Sequence, residues 1–253
     1  MTMCPPSCSR ATSAGFTLVE TLAAIGIVAV LAALVIPAVS NSLDSAKAAQ
    51  DVSNLRQLSS ALLAYAGDND GHLPAENRGD YSGNSMWYQN ALVDGGYLPG
   101  TDWHIWQPSG WNGKDFGDAS EGVWRSLFVK EDQIRWGGGY AVAENLMGYW
   151  MLSYFTGSPR RGRSLASIPK LSRQWLIGTA METRDEGPVT TNLVACPLCT
   201  PTGGNIGHPY AGYKGRCAIA FADGHVEQIP VAKINDGSVD VFNHQEDRNF
   251  HWK

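Results

Sequence analysis

A run of apolar residues extends from Phe16 to Val39, and Glu20 is its single charged member. A helix needs roughly 20 apolar residues to cross a bilayer, and this run meets that length. Pro37 stands near its far end, where a proline bends or loosens a helix. The pattern therefore predicts a transmembrane helix over residues 16–39.

Beyond this run, apolar residues recur every three or four positions, which is the spacing of one buried helix face. They are Val52, Leu55, Leu58, Leu62 and Tyr65. Residues 40–49 are rich in Ser and Ala, and small residues permit close helix packing. The helix should therefore continue from Phe16 to about Ala66. Residues 67–71, Gly-Asp-Asn-Asp-Gly, should end it, since these residue types favour turns.

The remaining chain has the character of a folded head with short strands. Residues 173–183 are apolar and bounded by polar residues, as in a strand. Residues 216–231 read as two strands joined by a two-residue Asp223-Gly224 turn. We assign residues 40–67 to the amphipathic part of the helix and residues 68–253 to the head. The predicted fold class is α+β, a long N-terminal helix packed on an antiparallel sheet with loop-rich insertions.

Charge restricts the class of partner and the orientation in a membrane. The formal net charge of −5 argues against nucleic-acid binding, which requires a basic surface. Arg10 precedes the apolar run, and Lys47 follows it among acidic residues. This bias favours a cytoplasmic amino terminus and an exported head. The alternative, a secretory signal cleaved after residues 38–40, fits poorly with the length of the run and with Glu20.

The stretch "GFTLVE", formed by residues 15–20 and followed by an apolar helix, resembles the N-terminal processing signal of type IV pilins and type II secretion pseudopilins. The resemblance implies that a prepilin peptidase cuts between Gly15 and Phe16 and that the Phe16 amine is then methylated. Residues 1–15 would be a leader. It also implies a single-pass protein of the inner membrane, with its head in the periplasm or outside the cell after assembly with other pilin-like subunits.

Glu20 has a physical role under this interpretation. A carboxylate inside a membrane is costly unless it is paired, so it usually marks function. Cleavage would create an amine on Phe16, and Glu20 of one subunit could pair with the Phe16 amine of a neighbour. A subunit in the wrong register would leave a buried charge unpaired. The alternative is that the Glu20 side chain reaches the interface and touches water.

A second resemblance lies near the end of the chain. "FADGHVE", residues 221–227, resembles the C-terminal signature of a subgroup of pseudopilin-like proteins, with Asp223, Gly224 and His225 as the matching residues. His208 lies further from Asp223 than the corresponding histidine of that subgroup. His208, Asp223 and His225 could act as a set of acid–base residues. However, no nucleophile motif of the Gly-x-Ser-x-Gly kind accompanies them.

Under the same resemblance, Cys4 and Cys8 would belong to the leader, and the other three cysteines would belong to the exported part of the chain. In an oxidising compartment Cys217 could form a disulfide with Cys196 or Cys199. Alternatively, Cys196, Cys199, His208 and Cys217 could hold zinc through three thiolates and one imidazole.

The leading hypothesis is a structural assembly subunit of a pilus or secretion pseudopilus, without enzymatic activity or cofactor. The alternative is a membrane-anchored binding protein, in which tryptophans of residues 77–140 stack on a polysaccharide or contact a secreted substrate. Among them are Trp103, Trp106 and Trp111. Tryptophans also pack loops onto a core, so the aromatic content by itself does not decide between the two.

Overall fold

The computed structural model describes residues 17–75, 88–100, 122–134, 138–147, 162–184, 187–191, 193–194 and 207–243. The chain divides into two compact units, residues 1–45 and residues 46–253. The first contains the apolar half of the long helix, and the second contains the rest of that helix and the head.

Helix α1 extends over Leu18–Asp68 and includes Pro37 in its interior. It is long and apolar enough to cross a membrane by length and composition. The predicted helix from Phe16 to about Ala66 is therefore confirmed for the described residues. After Pro37, the hydroxyls of Ser40 and Ser42 donate to the carbonyl oxygens four residues earlier, at 3.1 and 2.9 Å. Such bonds give a serine hydroxyl inside a helix a hydrogen-bond acceptor.

The end of α1 follows local turn chemistry. Asn69 and Gly71 both donate their N–H groups to the Ala66 carbonyl oxygen, at 3.2 and 2.8 Å. Asp70 and Gly71 take positive φ values of 57° and 78°, a region that Gly enters freely and Asp tolerates. These bonds use a helix carbonyl that would otherwise lack a partner. The predicted stop is confirmed.

The head contains one sheet, which in the described part of the chain has seven strands. In chain order its elements are α2 (Tyr88–Asp94), β1 (Tyr140–Ala143), α3 (Glu144–Met147), β2 (Trp175–Arg184), β3 (Gly187–Thr190), β4 (Leu193–Val194), β5 (His208–Pro209), β6 (Arg216–Phe221), β7 (Val226–Pro230) and α4 (Val231–Asn235). The strand order is β4-β1-β2-β6-β7, with β3 and β5 also paired to β2. All pairs are antiparallel except the parallel pair of β1 and β4.

The second half of α1 shares one buried core with this sheet. Leu55, Leu58 and Leu62 are fully buried in it, together with the central strand residues Trp175 and Ile177. The predicted apolar helix face and the α+β class are thereby confirmed. The first eight residues of β2 are all buried, because this strand is central and is covered on both faces. Its sequence is accordingly mostly apolar, with Thr179 and Glu182 as buried polar members.

The hairpin of β6 and β7 forms where the sequence indicates, but its turn differs from the prediction. The Gly224 N–H donates to the Phe221 carbonyl oxygen, and the Phe221 N–H donates to the His225 carbonyl oxygen, both at 2.9 Å. Ala222, Asp223 and Gly224 therefore form a three-residue loop. Gly224 has φ +90°, whereas Asp223 is not among the described residues with positive φ. A two-residue Asp-Gly turn would require positive φ at both positions.

Candidate functional site

The amino end of α1 forms a reciprocal cap around Glu20. The Thr17 N–H and hydroxyl both donate to Glu20 Oε2, at 2.8 and 2.9 Å. In return, the Glu20 N–H donates to the Thr17 hydroxyl oxygen at 3.3 Å. Helix ends leave backbone N–H groups without partners, and this arrangement satisfies two donors with two side chains.

The cap uses one oxygen of the Glu20 carboxylate. The three bonds involve Oε2 and the Thr17 hydroxyl, and Oε1 accepts no hydrogen bond from the residues that the structure describes. An ionised carboxylate has room for about four hydrogen bonds over its two oxygens. Glu20 can therefore cap its own helix and still accept a donor from another molecule. The signal was present in the sequence, since Thr17 and Glu20 have the Ser/Thr-x-x-Glu spacing of a capping box.

Exposed apolar side chains follow Glu20 along α1. Every large exposed apolar residue of the described chain except Leu127 lies between Leu18 and Leu43. Leu18, for example, retains 75% of its accessible surface. Contiguous apolar surfaces of this kind mark contact with a membrane or with another protein.

The residues of the second resemblance lie on the exposed hairpin. Asp223 Oδ1 is 2.5 Å from His225 Nδ1 and also accepts the His225 N–H at 3.2 Å. The imidazole stacks on the Phe221 ring, with centroids 4.4 Å apart. The carboxylate and the ring fix the imidazole, and Nε2 is the ring nitrogen that stays outside this contact.

His208 lies elsewhere on the sheet. It pairs with Met181 in β2, whereas Phe221 at the base of the hairpin pairs with Trp175. Six residues of strand separate these two positions, or about 20 Å at the usual rise. Partial burial lowers the pKa of His208, and its Nδ1 is buried and has no hydrogen-bond partner among the described residues. The structure therefore does not bring His208 together with Asp223 and His225.

Cys217 is a buried free thiol. Its Sγ lies 3.1 Å from the carbonyl oxygen of Thr179 and 3.2 Å from the Thr179 hydroxyl. Burial raises the pKa of the thiol to about 12. The thiol points into the core and bonds to the neighbouring strand. Cys196 and Cys199 lie outside the described residues, so both the disulfide and the zinc alternative stay predictions.

A buried carboxylate on α1 was not recognised in the sequence. Asp51 is 2% exposed and accepts hydrogen bonds from the Ser126 hydroxyl, the Leu127 N–H and the Tyr140 hydroxyl, at 2.7, 3.0 and 2.9 Å. Desolvation raises the pKa of Asp51, and the three donors act in the opposite direction. The sequence indicated this burial only through the apolar residues near Asp51 on α1, since an aspartate that lies between buried positions shares their helix face.

Two sets of predicted residues cannot be placed. Gly15 and Phe16 lie outside the described residues, as do Trp103, Trp106 and Trp111. Trp124 is described and is 5% exposed, with its indole N–H donating to the Pro99 carbonyl oxygen at 3.3 Å. This tryptophan packs into the core and does not present a face to a ligand.

Comparisons of the chain with protein-family models, with curated proteins and with solved structures found no match.

Proposed function

We propose that this protein is a pilin-like assembly subunit of a type IV pilus or a type II secretion system. A prepilin peptidase would cut before Phe16, and the helix would then pack with those of other subunits. The observation that supports the proposal most is the Glu20 carboxylate at the start of an exposed apolar helix. Its Oε2 accepts the bonds of the Thr17 cap, and its Oε1 accepts none from the described residues. The "GFTLVE" motif supplies the cleavage site at the matching position.

The cap explains how the carboxylate can be tolerated before assembly. Two donors of Thr17 compensate part of its charge in a single subunit, which lowers the cost of placing it in apolar surroundings. The amine that cleavage creates on Phe16 of a neighbour would then satisfy Oε1. This pairing would fix the register between neighbouring subunits, because a displaced subunit leaves the Glu20 carboxylate and the Phe16 amine without a partner.

Processing is tested by expressing the full chain with and without a prepilin peptidase. We expect the peptidase to shorten the chain by the 15-residue leader and to leave Phe16 as its first residue. Gly15→Ala should remain at precursor size. If wild type and Gly15→Ala are processed equally, or if neither is processed, the prepilin assignment fails.

Assembly is tested by zero-length carbodiimide cross-linking of the processed protein in membranes, which joins an amine to a carboxylate in direct contact. We expect cross-linked dimers that contain an isopeptide bond between the Phe16 amine and the Glu20 side-chain carboxyl group. Glu20→Gln is the matched control, because glutamine also forms a capping box but has no charge to pair. Loss of the dimers in Glu20→Gln supports charge pairing, whereas equal dimers in both proteins would contradict it.

A further inference from the structure

Two polar side chains one turn apart on α1 fasten a loop of the head to the helix. Asp51 accepts the hydroxyl of Ser126, the N–H of Leu127 and the hydroxyl of Tyr140. Asn54 donates through Nδ2 to the Gly122 and Arg125 carbonyl oxygens at 3.4 and 3.2 Å, and to the Tyr140 hydroxyl at 3.3 Å. We call the contact of Asp51 and Asn54 with residues 122–127 and Tyr140 the polar clasp.

The clasp differs from the rest of the interface between α1 and the sheet. Over the next three turns of the helix, Leu55, Leu58 and Leu62 make a fully buried apolar contact. The apolar contact has no ionisable group, so its strength does not change with protonation. The clasp has a single carboxylate at its centre. Hydrogen bonds with Asp51 and Asn54 join residues 125–127 to α1, whereas Trp124 of the same segment packs into the core. It can therefore loosen while the apolar contact persists.

Asp51 has no cationic partner within the part of the chain that the structure describes. In the loop, the Arg125 guanidinium extends toward the Val129 carbonyl oxygen at 3.4 Å and toward the exposed Glu131 at 3.8 Å. Other ionisable groups on the packed elements include Lys130 shortly after the loop, Tyr88 on α2, Tyr140 on β1, Cys217 on β6, and Asp44, Lys47 and Arg56 on α1 itself.

The neutral groups among these bring no positive charge to Asp51. Burial raises the pKa of Tyr140 well above its usual range and that of Cys217 to about 12, so both are protonated whenever Asp51 ionises. The charge of Asp51 itself contributes to both increases. Ionised Asp51 thus depends on three hydrogen-bond donors in a site from which water is excluded.

We propose that the polar clasp is a pH-responsive contact, in which ionisation of Asp51 weakens the hold of residues 122–127 on α1. The inference concerns the head alone and holds whether or not the chain assembles through Glu20. It gives an exported head a means of changing the exposure of this loop with external pH while its core stays folded.

The direction follows from burial. The closed clasp favours protonated Asp51, so the pKa is higher in the closed state than in an open, solvated one. The clasp is therefore firmest below the ordinary pKa of an aspartate, and it weakens as pH rises through the raised value. Each unit of difference between the two states changes the closing equilibrium about tenfold.

Hydrogen exchange of the full chain in detergent micelles tests the proposal. Exchange is measured by mass spectrometry between pH 4 and pH 8, as the protection of each peptide relative to its unstructured rate. In wild type, we expect protection of the peptide that contains Leu127 to decrease as pH rises, and protection of residues 217–221 in β6 to stay constant. Constant protection of the Leu127 peptide would overturn the proposal.

Two variants assign the effect to Asp51. Asp51→Asn keeps the size and an acceptor oxygen but cannot ionise, so its Leu127 peptide should show no pH dependence. Ser126→Ala removes a donor that lowers the pKa of Asp51, so the change should move to higher pH. If Asp51→Asn retains the wild-type pH dependence, or if Ser126→Ala moves the change to lower pH, another group is responsible. Constant protection of β6 shows that each variant has folded.

Discussion

Replacing Gly224 by alanine tests the three-residue turn between β6 and β7. Gly224 has φ +90°, a conformation that costs an L-residue about 1–2 kcal/mol. A Cβ at this position would also lie 3.3 Å from Leu63 Cδ1 on α1. That atom ends a flexible side chain, so a small rotation of Leu63 relieves the contact. Backbone strain therefore supplies most of the cost, and we expect a loss of stability of about 1–2 kcal/mol.

Thermal unfolding of the full chain in micelles, followed by near-ultraviolet circular dichroism, measures this loss. The signal reports the packed aromatic core, in which Trp175 stacks on Phe242 with ring centroids 5.4 Å apart. A change of 1 kcal/mol shifts the midpoint by about 2–4 °C in a chain of this size. We therefore expect Gly224→Ala to lower Tm by about 2–8 °C.

Asp223→Gly is the matched control at the preceding position. In a two-residue turn with positive φ at both positions, glycine at residue 223 would be favourable and would raise Tm. In the observed turn, it removes the two bonds to His225 and adds flexibility to the unfolded chain, so Tm should fall. A rise in Tm for Asp223→Gly, or an unchanged Tm for Gly224→Ala, would refute the three-residue turn.

Three further predictions concern other contacts. Thr17→Val removes the capping hydroxyl and should destabilise the first turn of α1 by about 0.5–2 kcal/mol, which is measured as faster amide exchange at Glu20. In Thr17→Ser, Glu20 should exchange at the wild-type rate. Equal exchange in all three proteins would exclude the cap. Leu58→Ala should cost about 2–5 kcal/mol, because the side chain is fully buried, and a shift in Tm below about 4 °C would contradict that packing. Cys217 should resist iodoacetamide at pH 8 until the head unfolds, since it is buried and its pKa is raised to about 12; rapid labelling, located by peptide mapping, would contradict this geometry.

Local features were predictable because each depends on neighbours in the chain. The apolar run from Phe16 to Val39 and the periodic residues after it indicate α1, and residues 67–71 indicate its end. Both follow from spacing and turn chemistry, and the structure has them at nearly the same residues. The capping box of Thr17 and Glu20 was predictable in the same way, since the two residues are three positions apart.

The features that the sequence did not reveal involve residues far apart in the chain. Asp51 is charged in isolation and reads as a solvated helix position, but Ser126, Leu127 and Tyr140 approach it only after folding. The burial of the Cys217 thiol was not apparent for the same reason, because the position of Thr179 across the sheet decides where the thiol points.

The sequence by itself thus determined the long helix, its end, and the location of the β6–β7 hairpin. Tertiary structure decided the length of the hairpin turn, the parallel pairing of β1 and β4, and the burial of Asp51 and Cys217. Periodicity and turn propensity act over a few residues and are written in the chain. The hydrogen bonds and burial that fix a side chain in the core arise between distant segments, and they exist only when the fold brings those segments together.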